Sequence, residues 1–236
     1  MTRFTTKITN DPKRKTRTDR KVSVAILSAG IGSRIKSYEP RSLLKIGSKL
    51  LIEHQINTIN QCFESPEIIN VVGCHANKIV KKTRGKTRIV ENQLYKDSNS
   101  SESLRLAFNN TINENILFMH GDLYFNESTL KVNYDKSFVI VDNNEQIKDT
   151  EVGLTTCDGK LSIMSYGLPT KWAQIAYVTG REYKILKGIF HKYENQDKKK
   201  LSFEIINMIL ASGGNFQCYE PDKMSIVEID RIKDIK

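Results

Sequence analysis

The chain has 236 residues, 27% of them charged and 39% apolar, and a formal net charge of +10. That length suffices for a sizeable core, and the composition excludes a wholly disordered chain, a collagen-like repeat and a bundle of spanning helices, because no run nears the ~18 apolar residues such a helix needs. The charge is uneven: residues 1–21 hold eight basic residues against Asp11 and Asp19, while the remainder carries 29 basic against 25 acidic residues.

The basic arm over 1–21 has no apolar core, so no secretory signal is expected and the expected compartment is the cytoplasm. It reads as a solvated extension or an intersubunit contact before it reads as a nucleic-acid reader. The four cysteines, Cys62, Cys74, Cys157 and Cys218, have no CxxC spacing and are expected to be reduced thiols. The run 22–27 (VSVAIL) is continuous, apolar and β-branched, and predicts a strand covered on both faces. A long loop follows over 28–42, punctuated by Gly30, Gly32 and Pro40, then a short apolar piece closed by Gly47-Ser48-Lys49. In 50–62, Leu51, Ile52, Gln55, Ile56 and Ile59 share one helical stripe.

The alternation repeats with strands at 68–73, 87–90 and 116–119 and helices at 76–82 and 101–110, the latter opened by a Ser/Asn-rich cap region. This order predicts βαβ units: an α/β fold with a Rossmann-like mixed, mostly parallel sheet flanked by helices. After residue 137 the texture changes. Strands are expected at 138–141, 151–156, 161–165, 174–178 and 226–229, with Asp158-Gly159 as a hairpin turn. Helices are expected at 181–191 and 201–211, and 195–200 as an exposed loop. The first half is the nucleotide-binding candidate, and the second is rich in antiparallel strands.

The loop Leu27-Ser28-Ala29-Gly30-Ile31-Gly32-Ser33-Arg34 directly follows the first strand, where open α/β sheets bind ligands. Two glycines permit positive φ and close backbone approach, backbone N–H groups can form an anion nest, and Arg34 and Arg41 add forked positive charge. It is neither a dinucleotide fingerprint nor a P-loop, and the spacing alone leaves a tight turn with incidental arginines equally open. Asp122 ends a central strand and could hold a metal or merely occupy a turn; Asp230 ends another apolar run and could instead cap a helix.

LSAGIGSRI…EPRSLLKIGSKLLIEHQI resembles the N-terminal pattern of GT-A-like nucleotidyltransferases, the family of sugar-1-phosphate nucleotidyltransferases and CTP:phosphocholine cytidylyltransferases. The segment NQLYKDSNSSESLRLA (92–107) resembles the base-contacting loop of the phosphocholine branch, and His120-Gly121-Asp122 and Glu228-Ile229-Asp230 sit where the family has its acidic residues. The resemblance implies the nucleotide-diphospho-sugar transferase fold over 22–236. It implies transfer of an NMP, CMP favoured, from NTP to a phosphocholine-like alcohol phosphate or a sugar 1-phosphate, with release of pyrophosphate.

It further implies Arg34 and Arg41 as the catalytic cations. Leu27, Ser28, Ala29, Gly30, Gly32, Ser33, Arg34, Asn99, Ser100 and Ser101 would contact the nucleotide, and Asp122 and Asp230 would hold Mg²⁺. Lys171 is the nearest candidate for the lysine that relatives place after the hairpin to hold the acceptor phosphate. The departures are Arg41 where the family has lysine, and Gly47-Ser48-Lys49-Leu50 without the family proline. Tyr38, Tyr124, Tyr166 and Trp172 lie in or beside the site loops and would suit a quaternary ammonium group. A homo-oligomer is an open possibility, and neither a membrane nor a nucleic-acid partner is expected. Two rivals stand beside this reading: a GT-A glycosyltransferase using an NDP-sugar, and a non-catalytic nucleotide- or RNA-binding protein of the same fold.

Overall fold

The computed structural model describes residues 20–30, 40–143 and 147–229. The chain opens with β1 (Ser23–Ser28), every residue of which is buried. A 3₁₀ turn at Arg41–Leu43 leads to a small hairpin, β2 (Lys45–Ile46) and β3 (Lys49–Leu50), and to α1 (Leu51–Cys62). Then come β4 (Glu67–Val72), α2 (Ala76–Thr83), β5 (Arg88–Glu91), α3 (Ser100–Phe108) and β6 (Asn115–His120). The second half holds β7 (Leu123–Phe125), β8 (Phe138–Asp142), β9 (Val152–Cys157), β10 (Lys160–Tyr166), β11 (Thr170–Thr179), α4 (Gly180–His191), α5 (Ser202–Ala211), β12 (Gln217–Tyr219) and β13 (Ile226–Glu228).

Among the described residues nine strands form one sheet in the order β5-β4-β1-β6-β11-β8-β12-β10-β9. The first four are mutually parallel, as the continuous apolar runs require. Beyond β6 the pairings are antiparallel except β8–β12, so the parallel character is concentrated in the first half of the chain. The strand β11 joins the two regions, pairing with β6 on one edge and β8 on the other. The Asp158-Gly159 hairpin forms as expected, both residues taking the positive φ (51° and 75°) that a tight two-residue turn demands.

Both faces of the sheet are covered. Ala25, Leu27, Ile116 and Phe118 pack with Leu104, Leu186 and Ile206 of α3, α4 and α5. Val24, Ile26, Leu117 and Met119 face the other way, onto Ile52, Ile56 and Ile59 of α1 and Ile79 of α2. This period-two division within β1 and β6 fixes their register, since a one-residue slip would exchange the two faces.

Two expectations are corrected. The segment 195–200 is not an exposed loop: Asn195–Lys199 forms a 3₁₀ turn whose Asp197 is buried. Its carbonyls brace the start of α3, with Lys198 O accepting from Asn99 N and Lys200 O from Ser101 N. The short strands β7 and β12 were not foreseen, because three-residue pieces carry too little pattern to read.

Candidate active site

The C-terminal ends of β1, β5 and β6 open into a cleft of about 540 Å³, closed on the far side by β11 and the β9–β10 hairpin. Leu27, Ser28, Ala29 and Gly30 line it where β1 ends, as predicted. Gly30 has an ordinary φ and open space where a Cβ would stand, so it allows close approach without needing the positive φ foreseen for it. Gly32, Ser33, Arg34, Tyr38 and Asp230 lie outside the described residues.

Gly121 is required by packing: a Cβ there would land on the Ser28 hydroxyl, because 120–122 passes tightly across the end of β1. This crossing is tied by Gly121 N donating to Leu27 O, and it delivers Asp122 beside the glycine turn. Arg41, set by the 3₁₀ turn after Pro40, donates through Nη1 to Asp122 Oδ2 and lies 3.8 Å from Glu228 Oε1. The other oxygen of Asp122, Oδ1, is buried and has no hydrogen-bond partner among the described residues. The backbone carbonyl of Asp122 accepts from Ile229 N (2.8 Å), which brings the end of β13 to the same spot.

His120 is held by Ser202 Oγ (3.0 Å) and packs edge-on to Trp172. Burial pulls its pKa below the ordinary value, with Arg41 adding to the lowering and the neighbouring Asp122 and Gln174 side chains opposing it. The lowering favours the neutral ring at pH 7.

On the polar wall, Asn99 and Ser100 line the cleft and Ser101 does not. Ser101 is fully buried, donates to Asp197 O (2.7 Å) and accepts from Tyr193 OH (2.9 Å), so its hydroxyl serves the α3 junction. Asn99 does not cap α3 with its side chain, which donates instead to Lys199 O. Asn92, not singled out from the sequence, knots this wall: its Nδ2 donates to Ser98 Oγ and Ser103 Oγ and its Oδ1 accepts from Leu94 N. The Asx-type bond two residues on is the signal that could have found it.

At the opposite wall Lys171 lines the cleft with Lys148, Tyr166 and Trp172. Lys171 Nζ pairs with Glu151 Oε1 at 3.1 Å. Burial raises the Glu151 carboxyl, but the Lys148 N–H and Lys171 outweigh it and hold its pKa below the ordinary value. Tyr124 is elsewhere, stacked on His54 at 4.2 Å. Glu228 and Gln174 complete the floor; the former was visible as part of Glu-Ile-Asp, the latter had no sequence signal.

The end of β1, a half-buried arginine–aspartate pair and a polar wall thus meet in one cleft. Residues 24–136 match the family model of the MobA-like NTP transferase domain. That domain holds the β1 turn, Arg41 and Asp122, whereas Lys171, Gln174 and Glu228 lie beyond it. The bifunctional protein GlmU of Campylobacter jejuni subsp. doylei is 32% identical over 113 residues, 46% of this chain and 25% of that protein. The chain therefore spans about a quarter of the length of the relatives it matches in this way.

Among solved structures, CTP:phosphocholine cytidylyltransferase of Streptococcus pneumoniae (LicC) superposes with a TM-score of 0.74 at 21% identity, covering 91% of this chain and 96% of that one. The inositol-1-phosphate CTP transferase of T. maritima gives 0.74 at 13% identity, covering 95% and 94%. The resemblance to GT-A-like nucleotidyltransferases is borne out, and the fold is the nucleotide-diphospho-sugar transferase fold.

Proposed function

We propose that the chain is an NTP-dependent nucleotidyltransferase that joins an NMP to a small phosphorylated acceptor and releases pyrophosphate. The observation that carries this reading is the Arg41–Asp122 pair at the mouth of β1, with Asp122 Oδ1 buried beside it and without a hydrogen-bond partner among the described residues. A carboxylate oxygen held dry without a donor suits a cation, and a hard divalent ion takes oxygen ligands. Asp122, with Asp230 as the second proposed ligand, would hold magnesium, which supplies positive charge against the triphosphate.

The acceptor phosphate attacks the α-phosphorus in line and pyrophosphate departs, so no covalent enzyme intermediate is required. The residues' task is to bring two anions together. Arg41, half-buried and oriented by its pairing with Asp122, would turn its guanidinium to phosphate oxygens, and Arg34 is proposed for the pyrophosphate side. Ser28 to Gly30 and the wall of Asn92, Ser98, Asn99 and Ser100 present donors and acceptors to the base. Lys171 and Lys148 give the far wall positive charge for the acceptor phosphate.

CTP with an alcohol phosphate is the favoured pair. The short, polar base wall suits a pyrimidine edge, Tyr166 and Trp172 offer aromatic faces at the acceptor end, and both structural relatives above are CTP enzymes by name. The test is a pyrophosphate-release screen of four NTPs against phosphocholine, other alcohol phosphates and sugar 1-phosphates, with and without Mg²⁺. Release requiring one NTP, one acceptor and the metal is expected. No release from any combination would overturn the reading, and turnover of an NDP-sugar instead would assign a glycosyltransferase.

A further inference from the structure

One residue of the cleft sits in a backbone conformation that its own chemistry disfavours. Gln174 has φ +59° in the interior of β11. There the ladder to β8 slips: Trp172 faces Val141 and Ala176 faces Val139, so four steps on β11 match two on β8. Bulges of this kind re-aim a side chain, and the left-handed region belongs to glycine and, less readily, asparagine. A long unbranched side chain has no local reason to be there.

Its contact supplies a reason: Gln174 Nε2 donates to Glu228 Oε2. The other Glu228 oxygen is the one 3.8 Å from Arg41, whose guanidinium is paired with Asp122. Gln174 thereby links β11 and β13 at the point where Arg41 meets its two carboxylates.

We propose that Gln174 is a positioning residue that holds Glu228 against Arg41, keeping the guanidinium oriented when Asp122 is taken up by the metal and phosphates. This rests on the nucleotidyltransferase reading. Backbone strain at a functional site persists only where the surroundings enforce it, and here it places an amide on Glu228.

The experiment compares wild type with Gln174→Gly, Gln174→Met, Glu228→Gln and the double variant Gln174→Gly/Glu228→Gln, in pyrophosphate release and thermal melting. Glycine takes φ +59° freely, so Gln174→Gly is expected to melt at or above wild type while its kcat falls about tenfold and the KM for NTP stays within about threefold. Gln174→Met, with the same reach and no amide, loses rate to the same extent. The double variant is no slower than the slower single variant, because both changes break one linkage. A Gln174→Gly enzyme with wild-type kcat, multiplying losses in the double variant, or a fall in melting temperature of more than a few degrees would each overturn the proposal alone. A wild type inactive with every NTP would overturn the nucleotidyltransferase reading and this proposal with it.

Discussion

Asp122 and Arg41 solve each other's problem: both are largely withdrawn from water, and either alone would be a poorly solvated charge. Asp122→Asn keeps an acceptor for Arg41 but removes the charge, so pyrophosphate release should drop on the order of 10²-fold while the melting temperature moves only a few degrees. Ser101→Ala should behave in the opposite sense. Its hydroxyl joins α3 to Asp197 and Tyr193, so its loss should cost about 1 kcal/mol of stability in denaturant titration and leave the nucleotide KM unchanged. The cysteines offer a check on burial. Burial pushes the Cys62 and Cys218 thiols up to about 11 and about 12, whereas Cys157 is exposed. A thiol reagent at pH 8 should label Cys157 in the native protein and reach the two buried thiols only on unfolding. The sign of the linked stability follows: these groups stay protonated when folded but ionise when unfolded, so their contribution is intact below about pH 9 and is lost as pH rises through the folded values.

At the scale of elements, β6 and its exit carry the most consequence. Phe118 is fully buried against α3-side residues, and Phe118→Ala should cost about 3–5 kcal/mol in equilibrium unfolding. Gly121→Ala should push the crossing off β1 and misplace Asp122, lowering turnover far more than it lowers stability. The central strands β1, β4 and β6 were legible because each is built on an apolar run, and α1 because its stripe of Leu51, Ile52, Gln55, Ile56 and Ile59 is the face that is buried. The cleft was legible at Leu27 to Gly30, Asn99, Ser100, Arg41, Asp122 and Lys171, which the fold brings to one place. What was not legible depends on distant chain. Ser101 reads as polar loop until Asp197 and Tyr193 arrive from almost a hundred residues away. The run of lysines over 198–200 reads as solvent-facing until its backbone is seen to brace α3. Gln174 looks like any strand residue, because a bulge is a property of the neighbours' register and not of local composition.

At the scale of the whole molecule, the cleft is walled by residues from both halves, so a ligand bound there would couple binding to folding. An NTP that fits should stabilise the fold by about 2.7 kcal/mol at a hundredfold excess over Kd, seen as a raised melting temperature, and the ranking of the four NTPs in such melts should match their ranking in turnover. The described part of the chain has no helix long and apolar enough to cross a membrane. The placement of β11 has a consequence for how far the domain can be divided. The stretch that matches the MobA-like model stops at residue 136, before the strand that zips onto the outer edge of β6 has been made. A ribosome that had released only that much would have exposed a raw, apolar edge with its amides and carbonyls unanswered, an invitation to stick to its own copies. Severed at that point, the polypeptide should precipitate, and adding the remainder in trans should rescue it only by supplying the missing seam.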